Sequence, residues 1–307
     1  MEVRNFTFES DVDGLELSAM QMMPDGEPKG IVQIVHGMCE YKERYLDFME
    51  YLAGRGYVCV AHDHRGHGKS VKGSADLGYM YEGGQEGLIE DTKKLTDITK
   101  KEFGTDIPYY LFGHSMGSLI VRCYIKKYDD AIDKLVVSGS PSKPAGGSMG
   151  LILAKCGEKF KGGRAKMKLL DTLAMDMTYE KPFKSENLKH AWVNSDRDAV
   201  LAYNADPLCN YTFTINGYKG LIGTTVDTYN AKGWKMANPD LPIAFFSGAD
   251  DPCAINAEAF EKSVQFLKDR GYKNVQGKMY EGMRHEILNE PEHMKAYEDI
   301  AAFLEEG

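Results

Sequence analysis

The chain has 307 residues, 43% hydrophobic and 27% charged, with a formal net charge of -9. Such a length can bury a large core in one body or two, and the acidic balance excludes a general nucleic-acid role, which needs a basic surface. No apolar run approaches the roughly 20 residues of a membrane-spanning helix.

The acidic, alternating start "MEVRNFTFESDVDG" does not read as a signal peptide. "RNFTFES" and "LELSAMQMM" alternate like an antiparallel hairpin about Asp13-Gly14. Strands and helices then take turns. "GIVQIVHG" (30–37) precedes the helical "RYLDFMEYLAGRG", and "YVCVAHD" (57–63) precedes "LIEDTKKLTDITKKEFG". "YYLFGHS" runs into the helical "MGSLIVRCYIKKY", and "KLVVSGS" (134–140) follows. The rhythm stops at Pro141 and resumes with "LPIAFFSGAD" (241–250), "NAEAFEKSVQFLKDRG", "VQGKMYEG" and "EHMKAYEDIAAFLEE". Near-continuous apolar strands separated by amphipathic helices predict an α/β fold, a mostly parallel sheet flanked by helices. Residues 141–235, rich in Gly, Lys and Met, are too long for a bare loop and are expected to form an inserted helical cap. The expected core is then 1–140 with 236–307.

Gly113-His114-Ser115-Met116-Gly117 fits G-x-S-x-G, in which a strand turns sharply into a helix and lifts a serine hydroxyl off the sheet. A serine needs a base, and the base an orienting carboxylate. On such a sheet these come from later strand ends, in the order Ser, acid, His. "FFSGADDP" offers Asp250 and Asp251, and "YEGMRHEIL" offers His285; the later His293 falls in the last helix pattern. An oxyanion hole needs two backbone N–H groups. Met116, after the nucleophile, supplies one, and Met38, in the turn "VHGMCEYKERY", the other.

Together "HGMCEYKERY", "DHRGHGKS", "GHSMGS", "SGADD" and "YEGMRHEILNE" resemble the α/β-hydrolases, and among them the monoacylglycerol lipase and lysophospholipase-like group related to the serine aminopeptidases. The likeness spans about 28–140 and 240 to the end. It implies Ser115 as nucleophile, Asp250 (the Asp of G-x-A-D) as acid, His285 as base, and the Met38 and Met116 amides as oxyanion donors. Met38 stands where the family has a small residue, and a second Asp and Pro252 follow the acid. "WVNSDRDAVLAYNADPLCNY" (192–211) resembles the cap of bacterial members.

The expected activity is cleavage of carboxylic esters through an acyl-enzyme, with monoacylglycerols or lysophospholipid-type single-chain lipids as substrates. Acyl transfer and aminopeptidase-like chemistry are the alternatives; a silent binding protein fits poorly with an intact triad. No cofactor or metal is expected. His62, His64 and His67 lack helical metal-pair spacing, and "GHGKS" has Asp63 where a phosphate loop needs glycine. Six scattered cysteines without a C-x-x-C pair fit reduced thiols and a cytoplasmic protein. Methionines 149, 167, 175 and 177 suit either a lipid tunnel or ordinary cap core. Lys155, Lys159, Lys161, Arg164, Lys166 and Lys168 crowd one stretch against Glu158 alone, a solvated face or a contact for membrane or micelle surfaces.

Overall fold

A computed structural model of the chain describes residues 2–144 and 146–306, apart from the side chain of Asp176. The predicted hairpin is β1 (Val3–Glu9) and β2 (Glu16–Met22), antiparallel, with Gly14 at φ 69° in the turn. β3 (Gly30–Val35), β4 (Tyr57–His62), β5 (Tyr109–His114), β6 (Lys134–Ser138) and β7 (Ile243–Gly248) are buried along their whole length. β8 (Val275–Tyr280) closes the far edge. The sheet runs β1-β2-β4-β3-β5-β6-β7-β8 and is parallel from β4 onward. Order reverses on the two sides of β3, and in such sheets ligands gather beyond the strands' carboxyl ends.

Helices cover both faces because the strands are apolar on both. They are α1 (Leu46–Ala53), α2 (Gly84–Phe103), α3 (Met116–Tyr128), α4 (Gly147–Lys161), α5 (Lys168–Asp171), α6 (Arg197–Ala205), α7 (Ile215–Thr228), α8 (Ala257–Arg270) and α9 (His293–Glu305). α1 and α9 meet through the Phe48 and Tyr297 rings, 4.9 Å apart. Between β6 and β7 the described residues form helices and loops with no strand. A π-helical stretch, Thr172–Glu180, follows α5 directly. α7, though inside this insertion, packs on α3: the Cys123 thiol donates to Thr224 O at 3.5 Å and the Thr228 hydroxyl to Leu119 O at 3.2 Å.

Candidate active site

β5 ends at His114 and α3 begins at Met116, so one residue makes the whole turn. That residue is Ser115, at φ 52° and ψ -117°, a region that side-chain-bearing residues rarely occupy. The turn is tight enough that a Cβ on Gly117 would lie 1.9 Å from Val35 O, and one on Gly113 would lie 2.6 Å from Gly117 O. Both glycines are therefore steric requirements of the elbow. The Ser115 N–H donates to Ser138 O at 3.0 Å, tying the elbow to β6.

His285 lies in the loop after β8 and is buried. Its Nδ1 faces Asp251 Oδ2 at 3.0 Å. The acid expected from the G-x-A-D pattern was Asp250, whereas the carboxylate that the structure sets against His285 is that of Asp251, one residue on. Asp250 is exposed; its N–H donates to Met283 O, which holds the chain edge while the side chain points to solvent. The next residue turns inward. Asp251 Oδ1 accepts from the Cys253 N–H at 2.8 Å, an Asx turn, while Oδ2 takes the histidine. Pro252 presets the backbone inside that turn.

The electrostatics agree with this pairing. Burial alone pushes the Asp251 carboxyl up, but the His285 imidazole and the Cys253 N–H outweigh it and leave Asp251 below its ordinary value. Burial likewise disfavours a charged His285, yet Asp251, with Glu286 and Glu40 nearby, raises its pKa above 6.5. The ring meets two others, His114 at 4.7 Å and Trp192 at 4.9 Å between centroids. The His285 N–H donates to Trp192 O and the Glu286 N–H to Val193 O.

Met116 is the first residue of α3, so its N–H has no acceptor within the helix. Met38 lies in the loop after β3, and both methionines line the cavity that holds Ser115 and His285. The loop approaches the serine closely: a Cβ on Gly37 would stand 3.0 Å from Ser115 Cβ. Its base is braced by histidines. His36 Nδ1 faces Gly37 O at 2.8 Å, and His36 Nε2 accepts from the His64 N–H at 3.0 Å. His62 and His67 are buried nearby, and burial pushes their pKa values down to about 3 and about 4. The three histidines of "HDHRGHGKS" are thus packed into the fold beneath this loop.

Arg44 links the two loops, meeting Glu286 through both terminal nitrogens at 2.6 and 2.8 Å and Glu40 at 3.1 Å. Burial would raise both carboxyls. Arg44 outweighs it at Glu286, brought to about 2, but not at Glu40, which stays up at about 7.

The shared cavity has a volume of about 470 Å³, within the usual range for small-molecule sites. One wall is apolar, with Leu119, Leu153, Leu170, Ala174, Leu221 and Ile222. The charged side chains of its lining are Glu40, Asp171, Glu180, Lys189 and Glu286, besides the histidines. Among the described residues, the one His/Cys/Asp/Glu group close enough to hold a metal ion is Asp251, Cys253 and His285. Asp251 and His285 are already bonded to each other there, with a buried thiol beside them. Sequence reasoning named Ser115, His285, Met38 and Met116, which the structure brings together, and missed Trp192, Tyr203, Glu40, Arg44 and Glu286. The acid directly after His285 was the one available signal; the others sit at no recognisable spacing.

The chain is also similar in sequence and fold to known proteins. The model of a family described as serine aminopeptidase, S33, matches residues 26–292. The monoacylglycerol lipase of Mycolicibacterium smegmatis is 28% identical over 295 residues, covering 95% of this chain and 94% of that protein. The monoglyceride lipase of Mus musculus is 25% identical, covering 91% and 83%. A thermostable carboxyl esterase from Bacillus coagulans, solved with glycerol, superposes with a TM-score of 0.90 at 29% identity, over 99% of this chain and 98% of its own.

Proposed function

Since the chain belongs to the serine aminopeptidase S33 family of α/β-hydrolases, we propose that it hydrolyses carboxylic esters of single-chain lipids, monoacylglycerols foremost, through a Ser115 acyl-enzyme. Ester hydrolysis is the activity that the names of the two lipases and the esterase compared above share. One observation carries the mechanism: a strained elbow serine opens into the same cavity as a buried histidine held by Asp251. Ser115 attacks the ester carbonyl while His285 takes its proton at Nε2, the nitrogen left free by the Nδ1–Asp251 bond. Asp251, rather than Asp250, orients the ring and stabilises the imidazolium. The Met38 and Met116 amides receive the oxyanion, aided by the positive end of α3. His285 then protonates the leaving alcohol, and water repeats the cycle.

The cavity's charges favour a neutral head group. Asp171 and Glu180 line the cavity with Glu40 and Glu286, which Arg44 already pairs. Its lysine, Lys189, is held by Asn210 at 2.9 Å, so a phosphate would meet little free positive charge. A glycerol head group needs only hydrogen bonds. An aminopeptidase reading would use Asp171 and Glu180 to hold an ammonium. However, Glu180 already accepts from the His190 N–H and the Trp192 indole, and Asp171 from the Tyr218 hydroxyl.

In this reading residues 141–235 act as a cap over the core formed by 1–140 and 236–307. The cap's outer face also meets the lipid aggregate. Among the described residues no helix is long and apolar enough to cross a membrane. The test is a panel of monoacylglycerol, lysophosphatidylcholine and an aminoacyl arylamide, assayed with wild type and Ser115→Ala. Monoacylglycerol should be turned over with the highest kcat/KM, and Ser115→Ala should lose several orders of magnitude. A panel led by the arylamide would replace this reading with the peptidase one.

A further inference from the structure

The turn that presents the Met38 N–H is held from two sides. On the core side, the Gly37 N–H donates to Glu40 Oε1. On the other, Cys39 sits at φ 54°, a left-handed conformation unfavourable for a residue with a Cβ. Two groups of the insertion engage Cys39. The Tyr203 hydroxyl, from α6, donates to Cys39 O at 3.1 Å, and the Cys39 thiol donates to Tyr211 O at 3.2 Å. The Tyr203 ring is fixed in turn, with the Arg44 guanidinium 5.1 Å from its centroid and the His190 ring edge-on at 5.3 Å.

We propose that Tyr203 is a positioning residue for the oxyanion hole: its hydrogen bond to Cys39 O holds the left-handed turn that aims the Met38 N–H at the reacting carbonyl. A strained turn persists only where its surroundings over-determine it, and this hydroxyl is one of the restraints that does so. Tyr203 also lines the cavity, but its proton is committed to Cys39 O rather than to a ligand. The insertion then contributes to the chemical step as well as to substrate choice. The proposal rests on Ser115 chemistry as read above.

Tyr203→Phe keeps the ring and removes the bond. Loss of a whole oxyanion donor costs about 10²–10³ in kcat, and a misaimed donor costs less. On p-nitrophenyl acetate, too small to use the cavity's far end, we expect kcat to fall about tenfold with KM within twofold. Affinity for a trifluoromethyl ketone, which forms the tetrahedral adduct, should fall by the same factor. The acid limb of the pH profile should stay in place, because His285 is not the group disturbed. Val200→Ala, a buried change on the same helix, controls for general loosening. An unchanged kcat on the acetate ester overturns the proposal, as does a rise in KM confined to monoacylglycerol, which would make Tyr203 a head-group ligand. An equal kcat loss in Val200→Ala overturns it too. If Ser115→Ala stays active, the hydrolase mechanism itself fails; if it is dead while Tyr203→Phe is normal, only this inference does.

Discussion

The two halves of the insertion between β6 and β7 are built differently. Along 147–180, Met149, Ile152, Phe160, Leu169, Leu173 and Met177 face solvent, with Phe160 82% exposed. On α4, Ile152 and Phe160 are exposed and Met149 reaches both solvent and the cavity, while Ala154 and Gly157 are buried. From 191 to 228 the pattern inverts. Ala191, Trp192, Val193 and Asn194 are buried, their carbonyls meet the His285 loop, and α7 lies on α3. The second half behaves as an extension of the hydrolytic core, while the first half is a mostly exposed roof. The insertion therefore divides into a part that packs against the His285 loop and α3 and a part whose apolar side chains lie open to solvent and cavity.

The core sets the scale for that division. Asp251→Asn should lower kcat by about 10⁴, as expected when the orienting carboxylate of a triad is neutralised. Asp250→Asn should stay within a few-fold of wild type because its side chain is exposed. Steady-state kinetics on p-nitrophenyl acetate distinguish the two, and a reversed ranking would break the triad geometry. The pH profile adds a sign. His285 acts as base only when neutral, and Asp251 raises its pKa, so kcat/KM should fall as pH drops through a value above about 6.5. A midpoint below 6.5 would contradict the pairing.

How much of this the sequence showed follows the same division. The buried strands stood out as apolar runs, and the elbow was legible because Gly113 and Gly117 are sterically compulsory. The pattern pointed to Asp250 while the geometry sets Asp251 against His285, because a strand's end in sequence does not say which of two aspartates the following turn points inward. Asp251, just before Pro252, makes a turn with one carboxylate oxygen while facing His285 with the other. In the insertion, Trp192 and Tyr203 owe their places to contacts with loops more than 80 residues away in sequence, which no local period encodes. The π-helical Thr172–Glu180 has no simple periodic signature either.

A narrower test addresses how the roof meets substrate. Gly147 and Gly150 line the cavity where α4 crosses α7; a Cβ on Gly150 would reach Ile222 at 3.6 Å, an ordinary contact. Gly150→Ala should therefore fold well, and it removes a helical glycine worth roughly 1 kcal/mol. Gly150→Leu should fill the cavity beside its apolar wall at Ile222. Turnover of long-chain p-nitrophenyl esters should drop about tenfold or more relative to the acetate, since a methylene in such a pocket is worth about 10–200-fold. An unchanged chain-length profile in the folded Leu variant would move acyl selection out of the α4–α7 seam.

The smallest expected effect concerns the outer face of that roof. Lys155, Lys159, Lys161, Lys166 and Lys168 are exposed, and among the described residues none of the five forms an ion pair. Arg164 differs, since it is paired with Asp76. Free lysines beside an exposed apolar stripe suit a negatively charged lipid surface, even though the cavity beneath favours neutral head groups. The surface would hold the enzyme while a neutral ester enters. Each exposed lysine acts only over a Debye length of about 8 Å at physiological ionic strength. Turnover of monoacylglycerol in phosphatidylglycerol vesicles should thus fall several-fold from low to high salt, while that of soluble p-nitrophenyl acetate stays flat. Replacing Lys155, Lys159, Lys161 and Lys166 with Gln should remove the difference and leave the acetate reaction untouched. If the vesicle assay keeps its salt dependence in that variant, attraction lies elsewhere on the molecule; if wild type shows none, the lysines only solvate the roof.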